Sequence, residues 1–536
     1  GETFTAEVIA QVQEVDEDQV CTLLSGPLSY KHHLVRAKSI KWSGNHRLSQ
    51  YQFRHILYQK YLYDKLDPVQ QAILHQKLAQ VLETLYVEHE DVSFATLAKH
   101  FEAAGMFTRA IDYLLKAGAQ AVRLLANEEA IAYYQHGLAL VERLPRTTQR
   151  DQLELSLLLG LGEPLSIIRG FSTPELEQLY MRAKALTQTA EPSLDKFEAL
   201  AGLQNYYDVS MDLQEAYGLG QDLIVLAEYL QQPSLLAFAH FRMNLISLHL
   251  GRLEDAYHHW ERTRLFCTVE PDGIFSSLFI QDEIFICGKT HFGCVLWLSG
   301  YPDQAVQQCK DAISLAEKYG NPFVLAQVQF FTALVCILKR DVDSVRQHAR
   351  ILLDLAQEYK IAYLAACAEY VSAYVMMEEG SLEEAIQQIH KSMAMQQAIS
   401  ANLEEVAEKI LLAEAYCKVR MASQGLAVVD SALAMINKTG FREYEPEVYR
   451  LKGELLLCRD AKAEAEKSFL QAIEIAREQG AKSWELRAST SLCRLWEKQG
   501  KYQEAKKHLH KIYGWFTEGF DTPDLMDAKA LLERLA

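Results

Sequence analysis

CRLWEKQGKYQEAKKHLHKIYGWF, residues 493–516, carries the pattern on which the whole chain is built, and AYVMMEEGSLEEAIQQIHKSMAMQQ, residues 373–397, repeats it. In each, an apolar helical stretch stops at a glycine, Gly500 or Gly380, and a small residue follows five positions later at Ala505 or Ala385. The glycine marks a helix end, where the chain must turn. The small residue recurs every 40 positions, at Ala305, Val345, Ala385, Gly425, Ala465 and Ala505. Four residues after each stand Cys309, Ala349, Ile389, Val429, Phe469 and Leu509; three further on stand Ala312, Leu352, Ser392, Ala432, Ala472 and Ile512. Offsets of four and seven continue one face of a helix. The unit is a helix-turn-helix whose small residue lets its two helices approach closely, and units in register over this length define a solenoid.

A turn glycine, then a small residue, an aromatic and another small residue resemble the tetratricopeptide repeat. The period of 40 exceeds the family's usual length of roughly 34, so each helix is expected to gain close to a turn, as in the extended repeats of regulatory ATPases. Upstream, Ala256 with Trp260, Ala216, Leu176 with Tyr180, Ala130 with Tyr134, and Ala110 with Leu114 fill the same role at less regular gaps, giving about eleven units in all. The expected fold class is all-α, a right-handed superhelical solenoid of helical hairpins preceded by a small winged-helix-like α/β module. The expected divisions are 1–88 for that module and a linker helix, 89–521 for the solenoid and 522–536 for a capping helix.

Composition agrees with this architecture. A chain of 536 residues is too long for one core, but a solenoid grows by stacking. Twelve prolines leave long helices uninterrupted, and a net charge of -17 argues against a nucleic-acid surface as the main role. No run approaches the roughly 20 apolar residues of a membrane span. The ten cysteines are scattered, with no CxxC pair and Cys287 to Cys294 as the closest spacing, so reduced thiols in a cytoplasmic protein are expected.

The first 88 residues depart from the repeat. TAEVIAQV and DEDQVCTLL read as short helices opened by Thr5 and Asp16. LVRAKSIKW, a turn at 43–46 and RLSQYQF read as a hairpin. A helix through FRHILYQKYLY follows, and Asp67-Pro68 suits the start of another. Helices followed by a hairpin make a winged-helix-like module. Lys31, His32, His33, Arg36, Lys38, Lys41 and Arg47 lend it local positive charge, which keeps DNA binding open as a third and weaker role.

YQFRHILYQKYLYDKLDPVQQAILHQKLAQVLETLY, residues 51–86, resembles the segment that joins the ATPase to the repeats in bacterial regulators of the STAND class, signal-transducing ATPases with numerous domains. ELRASTSLCRLWEKQGKYQEAKKHLHKIYGWFTEGFDTPDLMDAKALLERL, residues 485–535, resembles the end of the same proteins, and YPDQAVQQCKDAISLA and YRLKGELLL extend the likeness along nearly the whole chain. Such proteins carry a GxxxxGK[ST] phosphate loop. Here Glu283 stands where the first glycine of that loop would precede Gly288-Lys289-Thr290, so no cofactor is expected in this chain, and ATP or ADP belongs to a core expected upstream of Gly1. The resemblance implies that His55, in the FRH motif, touches a nucleotide phosphate in the parent protein; alternatively, it faces its own helix and satisfies a single hydrogen bond.

Catalytic and metal signatures are missing. The chain has no HExxH, GxSxG or GxGxxG, and the adjacent pairs His32-His33 and His258-His259 point to different helix faces. A non-enzyme is expected. Function then falls to the concave wall, lined by the first helix of each hairpin at about three, six and ten residues before the turn. Those positions give Asn205 and Asp208, Phe241 and Leu245, Cys294 and Trp297, then Phe330, Tyr370 with Tyr374, Glu414, Arg450 with Glu454, and Arg494 with Glu497. Aromatics and arginines anchor interfaces, although aromatics here serve equally as packing core. The gap from Ala256 to Ala305 is nine residues longer than the beat. It adds Gln281 and Asp282, beside Phe279, Phe285 and Trp297, as candidate ligand contacts; equally, the extra residues lengthen a helix pair with ordinary packing.

Two functions remain. One is a protein-interaction arm that binds a peptide, a partner protein or the upstream ATPase core. The other is a small-molecule inducer sensor, as in the bacterial maltose-operon activator. An open charged wall suits a peptide and an enclosed aromatic-lined cavity suits a small effector. The early wall of amide, acid and aromatic groups fits the effector and the late charged wall the peptide, and protein interaction is the expected role. In either case ligand capture would shift the array between two states of different affinity.

Overall fold

The computed structural model describes residues 3–43, 46–86, 93–124, 126–188, 191–267, 281–399 and 403–535. The chain falls into two units, residues 1–168 and 169–536.

The first unit opens with strand β1 (Thr3–Thr5), helices α1 (Ala6–Gln13) and α2 (Glu17–Ser25), and a π-helical turn over Pro27–Lys31. The hairpin β2 (Val35–Ser43) and β3 (His46–Phe53) follows, and the antiparallel sheet has the order β1-β3-β2. Asp16 caps α2, accepting from the amides of Asp18 and Gln19 at 3.0 and 3.1 Å. Thr5, expected to cap α1, makes no side-chain cap; it ends β1, where its backbone pairs with Gln50. That third strand is a finding of the structure, since three residues are too few to show an alternating pattern. Ala6, Ala10, Val20, Leu24, Val35 and Tyr51 close the small core.

Helix α3 (Ile56–Asp64) buries none of its residues, whereas α4 (Pro68–Tyr86) lays Leu74, Leu78, Val81 and Leu82 against Val8, Val12 and Leu48. Asp67 caps α4 through the amides of Val69 and Gln70, both at 2.9 Å. Then come α5 (Phe94–Ala103), α6 (Phe107–Arg123), α7 (Asn127–Val141) and α8 (Thr148–Arg169). Close approach is enforced where the Tyr134 ring fills a notch at Gly118 and Gly160; a Cβ there would lie 2.5 and 2.7 Å from it.

In the second unit α9 (Pro174–Thr187) leads into helical hairpins: α10 (Leu194–Val209) with α11 (Leu213–Leu230), α12 (Pro233–His249) with α13 (Leu253–Phe266), and α14 (Gln281–Leu298) with α15 (Pro302–Tyr319). They continue as α16 (Pro322–Lys339) with α17 (Val342–Glu358), α18 (Ala362–Glu378) with α19 (Leu382–Ala398), and α20 (Glu405–Lys418) with α21 (Ala422–Thr439). The array ends with α22 (Glu445–Cys458) and α23 (Lys462–Gln479), α24 (Lys482–Lys498) and α25 (Tyr502–Tyr513), and the single helix α26 (Pro523–Arg534). The fold is a TPR-like solenoid preceded by a small α/β module.

The 40-residue beat has a simple structural meaning. Second helices begin at 302, 342, 382, 422, 462 and 502, three residues before each small residue. Ala305, Val345, Ala385, Ala465 and Ala505 are wholly buried and Gly425 is buried with them, because this position faces the partner helix. Against the expectation that no run approaches a membrane span, helix α16 is long and apolar enough by length and composition, yet most of it is buried among the helices of this unit.

The solenoid also closes on itself, about five hairpins on. The His249 carbonyl at the end of α12 accepts the Arg442 amide at 2.7 Å, and Trp297 of α14 meets Trp484 of α24 edge-on at 4.9 Å. Ser483 Oγ donates to the Trp297 carbonyl at 2.5 Å, and the Asp303 amide donates to Glu518 at 2.9 Å. Apolar clusters follow the same path: Met211, Leu213 and Ile246 share a core with Val429, Val448 and Leu451.

Helix α26 buries Leu525, Ala528 and Leu531 against Leu486, Cys493, Leu509 and Ile512. Leu531→Ala should cost roughly 2–5 kcal/mol, the usual penalty for truncating a buried leucine. Deleting 522–536 should strip hydrogen-exchange protection from α24 and α25 and lower solubility; unchanged melting and exchange would remove the capping role.

Candidate ligand cavity on the inner face

First helices α16, α18, α20, α22 and α24, together with α26, surround a cavity of about 240 Å³. Its walls come from equivalent positions of successive repeats. Tyr370, Ile410, Arg450 and Thr490 are 40 residues apart and all line it, as do Tyr374, Glu414 and Arg494 from the row that also holds Glu454. A fixed period with a fixed helix orientation places one face of every first helix toward the interior. Tyr370, Tyr374, Tyr444 and Trp484 supply aromatic surface.

The charges are balanced and paired. Five cations, Arg340, Lys418, Arg450, Arg487 and Arg494, face five carboxylates, Glu378, Glu414, Glu447, Asp524 and Asp527. Arg450 grips Glu447 with two bonds of 2.8 Å and reaches Glu454 at 3.5 Å. Lys418 binds Glu378 at 2.5 Å and approaches Glu414 at 3.7 Å. Arg340 joins Asp524 and Asp527 at 3.3 and 3.2 Å, and Arg494 reaches Asp527 at 3.1 Å. Burial pushes the Glu414 carboxyl above its usual range despite Lys418 and Arg450. Paired groups of this kind offer both donors and acceptors to a polar ligand.

Arg487 is the most connected of them. Its guanidinium binds Asp524 at 2.6 and 3.0 Å and the Leu338 carbonyl at 2.7 Å, and lies 5.2 and 5.0 Å from the Trp297 and Trp484 rings.

The earlier part of the wall is arranged differently. Asp208 is buried and bound to Arg242 at 2.8 Å and His249 at 3.1 Å. Burial acts to raise its carboxyl, but His249 and Arg242 outweigh that and hold it below the ordinary range. Asn205 is half-buried on α10, Phe241 packs edge-on to His291 at 5.8 Å, and Trp297 is buried against Trp484. Phe279 and the side chains of Gln281 and Asp282 lie outside the described residues, and Phe285 stacks on Trp260. Glu454 stands beside the cavity, taking a 2.6 Å hydrogen bond from Ser491.

His55 is exposed and caps α3, its Nδ1 accepting the Leu57 amide at 3.2 Å. Gly288-Lys289-Thr290 falls inside α14, where Lys289 pairs with Asp311. Among the described residues no group of three or more His, Cys, Asp or Glu side chains is placed to hold a metal. The sequence reading missed Arg340, Glu378, Lys418, Glu447, Arg487, Asp524 and Asp527. The 40-residue rows contain Glu447 and Arg487, which stand in register with Cys367 and Ala407; nothing local marks Asp524 or Asp527.

Comparison with known proteins places the chain only broadly. No family model matches it. A curated relative, an uncharacterized protein of Rhizobium meliloti (strain 1021), is 19% identical over 457 residues, covering 82% of this chain. The chain spans 43% of that relative's length. Among solved structures, the Rap protein complexed with competence and sporulation factor is 13% identical, with 80% of this chain and 100% of that one aligned at a TM-score of 0.42. The Cut9–Hcn1 hetero-tetramer of the APC/C is 12% identical over 81% and 85% of the two chains, at 0.40. The Rap conjugation gene regulator of plasmid pLS20 with the Phr* peptide gives 12%, 79%, 95% and 0.40.

Two outcomes follow from the buried charges. Arg487→Lys keeps the charge but loses the fork and the stacking, and should destabilise residues 169–536 by roughly 2–4 kcal/mol in urea unfolding. The second concerns Glu408, buried on α20, whose carboxyl accepts from Ser392 at 2.5 Å and Gln396 at 3.1 Å. Burial pushes it up to about 8, and the neighbouring Glu404 to about 7. A carboxyl raised in the folded state holds a proton that the unfolded chain has released, so stability falls as pH rises from about 4.5 to about 8. Glu408→Gln should abolish much of that loss, on the order of a few kcal/mol between the two ends, in unfolding measured across this window.

Proposed function

We propose that this chain is the non-catalytic sensor and interaction arm of a signal-transducing regulator of the STAND ATPase class. It takes up its effector on the inner face of residues 169–536 and passes the change to a partner or to an ATPase core. The observation that carries the binding role is the cavity itself: equivalent positions of five first helices converge on it, with every cation held by a carboxylate of the same cavity. Such a wall is polar and partly open to solvent at Arg340, Arg494 and Asp527, yet presents no unpaired cation that demands a highly charged ligand.

The size of the cavity favours one form of this role. At about 240 Å³ it lies below the range of drug-sized pockets and far below an extended peptide groove. A small polar effector therefore fits this cavity as it stands, and a protein or peptide partner requires a larger surface than this cavity offers. The STAND assignment, the winged-helix character of residues 1–88 and the phosphate-contacting role of His55 rest on the resemblance of residues 51–86 and 485–535 to that class.

Native mass spectrometry of the chain, purified gently from its expression host, tests the role. A discrete small adduct is expected, and Glu414→Gln and Arg494→Gln should reduce its occupancy about tenfold by removing one ligand-facing charge each. A co-purified polypeptide would move the role to a protein partner. An adduct equally occupied in both variants would place the effector elsewhere.

A further inference from the structure

Cys417 ends the inner face of α20 and Cys458 is the last residue of α22. They occupy nearly equivalent positions of neighbouring repeats, and their sulfurs lie 4.0 Å apart. Of the ten cysteines Cys458 alone is exposed, and Cys417 is half-buried beneath it. Six others, Cys287, Cys294, Cys309, Cys336, Cys367 and Cys493, are buried. The pair therefore combines solvent access at one sulfur with a second thiol in contact, the arrangement of an oxidisable cysteine beside its resolving partner.

We propose that Cys417 and Cys458 form a peroxide-oxidised disulfide that links α20 to α22. The Cys458 thiolate attacks one oxygen of hydrogen peroxide; the O–O bond breaks, and hydroxide leaves and takes up a proton as water. Cys458 becomes a sulfenic acid. The Cys417 thiol then attacks that sulfur, the S–O bond breaks, and the departing oxygen leaves as a second water carrying the Cys417 proton. Two thiols have given up two electrons, and the peroxide has been reduced to two waters. Burial and the adjoining Cys458 push the Cys417 thiol up to about 12, so the exposed Cys458 is the sulfur that meets the peroxide first.

A disulfide needs its sulfurs at about 2.05 Å, so closing the contact requires about 2 Å of approach. Rotation of the exposed Cys458 side chain and a small shift of the two helix ends supply it. Both ends lead into tight turns, through Arg420 and Asp460. The bond would fix the spacing of two helices that line the inner cavity, since Lys418 follows Cys417 directly and Glu414 lies one turn before it. Formation of the bond does not rest on the sensor role; only its bearing on the cavity does.

The test uses the full, fully reduced chain, treated with equimolar hydrogen peroxide, quenched, and analysed by intact mass and a non-reducing peptide map. The expected product is a monomer lighter by two hydrogens whose map contains the Cys417–Cys458 bridge, reversed by dithiothreitol. C458S should abolish the bridge, and C417S should leave a Cys458 sulfenic acid that dimedone traps. The proposal is overturned if the peroxide is consumed while both cysteines stay free, if C458S still loses the Cys417 thiol at the wild-type rate, or if the bridge joins two chains.

Discussion

The second unit depends on a constraint that a plain solenoid lacks: one arginine side chain ties helices five hairpins apart. Arg487 on α24 lies against the indoles of Trp297 and Trp484, binds Asp524 on α26 and reaches the Leu338 carbonyl at the end of α16. A linear repeat array is held by nearest-neighbour contacts alone, so its curvature is soft. Contacts between hairpins far apart in sequence fix that curvature. A buried ion pair adds little net stability over apolar packing, but removing one partner leaves a stranded charge. The arrangement therefore acts on register: alternative curvatures separate charges that the closed array pairs.

The cavity is a consequence of the same closure. Inner faces of five first helices meet because the superhelix turns back on itself, and α26 supplies the carboxylates that the late arginines need. The earlier wall pairs its charges differently. Asp208, Arg242 and His249 pair in the interior, with both basic groups within 3.1 Å of the carboxylate. That triad is a packing solution. The late wall uses the same chemistry around open space.

Local periodicity carried much of this into the sequence. A strict 40-residue beat identifies the hairpins, the starts of the second helices and the inward rows containing Tyr370, Tyr374, Glu414, Arg450 and Arg494. What the sequence hides is everything set by contacts between distant hairpins. The tie from Trp297 to Ser483 joins residues 186 positions apart, and no local pattern encodes it. Helix α26 reads as an apolar cap because Leu525, Ala528, Leu531 and Leu532 dominate its period; its Asp524 and Asp527 look like solvated surface until α16 and α24 arrive beside them. In the first unit, β1 escapes notice because pairing with β3, and not its own three residues, makes it a strand.

The turn between the two helices of each hairpin shows how distant contacts select local residues. Positions 300, 340, 380, 420, 460 and 500 all adopt left-handed backbone, with φ from 59° at Asp460 to 94° at Gly300. Conformation alone would favour glycine at every one, since a side chain there costs roughly 1–2 kcal/mol. At Gly380 and Gly500 a Cβ would meet nothing within 4 Å, so backbone geometry is sufficient reason for glycine. At Gly300 a Cβ would lie 2.5 Å from the Trp515 ring and 2.9 Å from Lys482 Cβ, so closure of the superhelix forbids any side chain. At position 340 the requirement reverses. Arg340 accepts the left-handed strain because its guanidinium reaches Asp524 and Asp527 on α26, which no glycine can do. Backbone geometry alone, closure of the array and a distant ion pair thus each select the residue at this repeat position in different hairpins, the ion pair reaching 184 residues along the chain from Arg340 to Asp524.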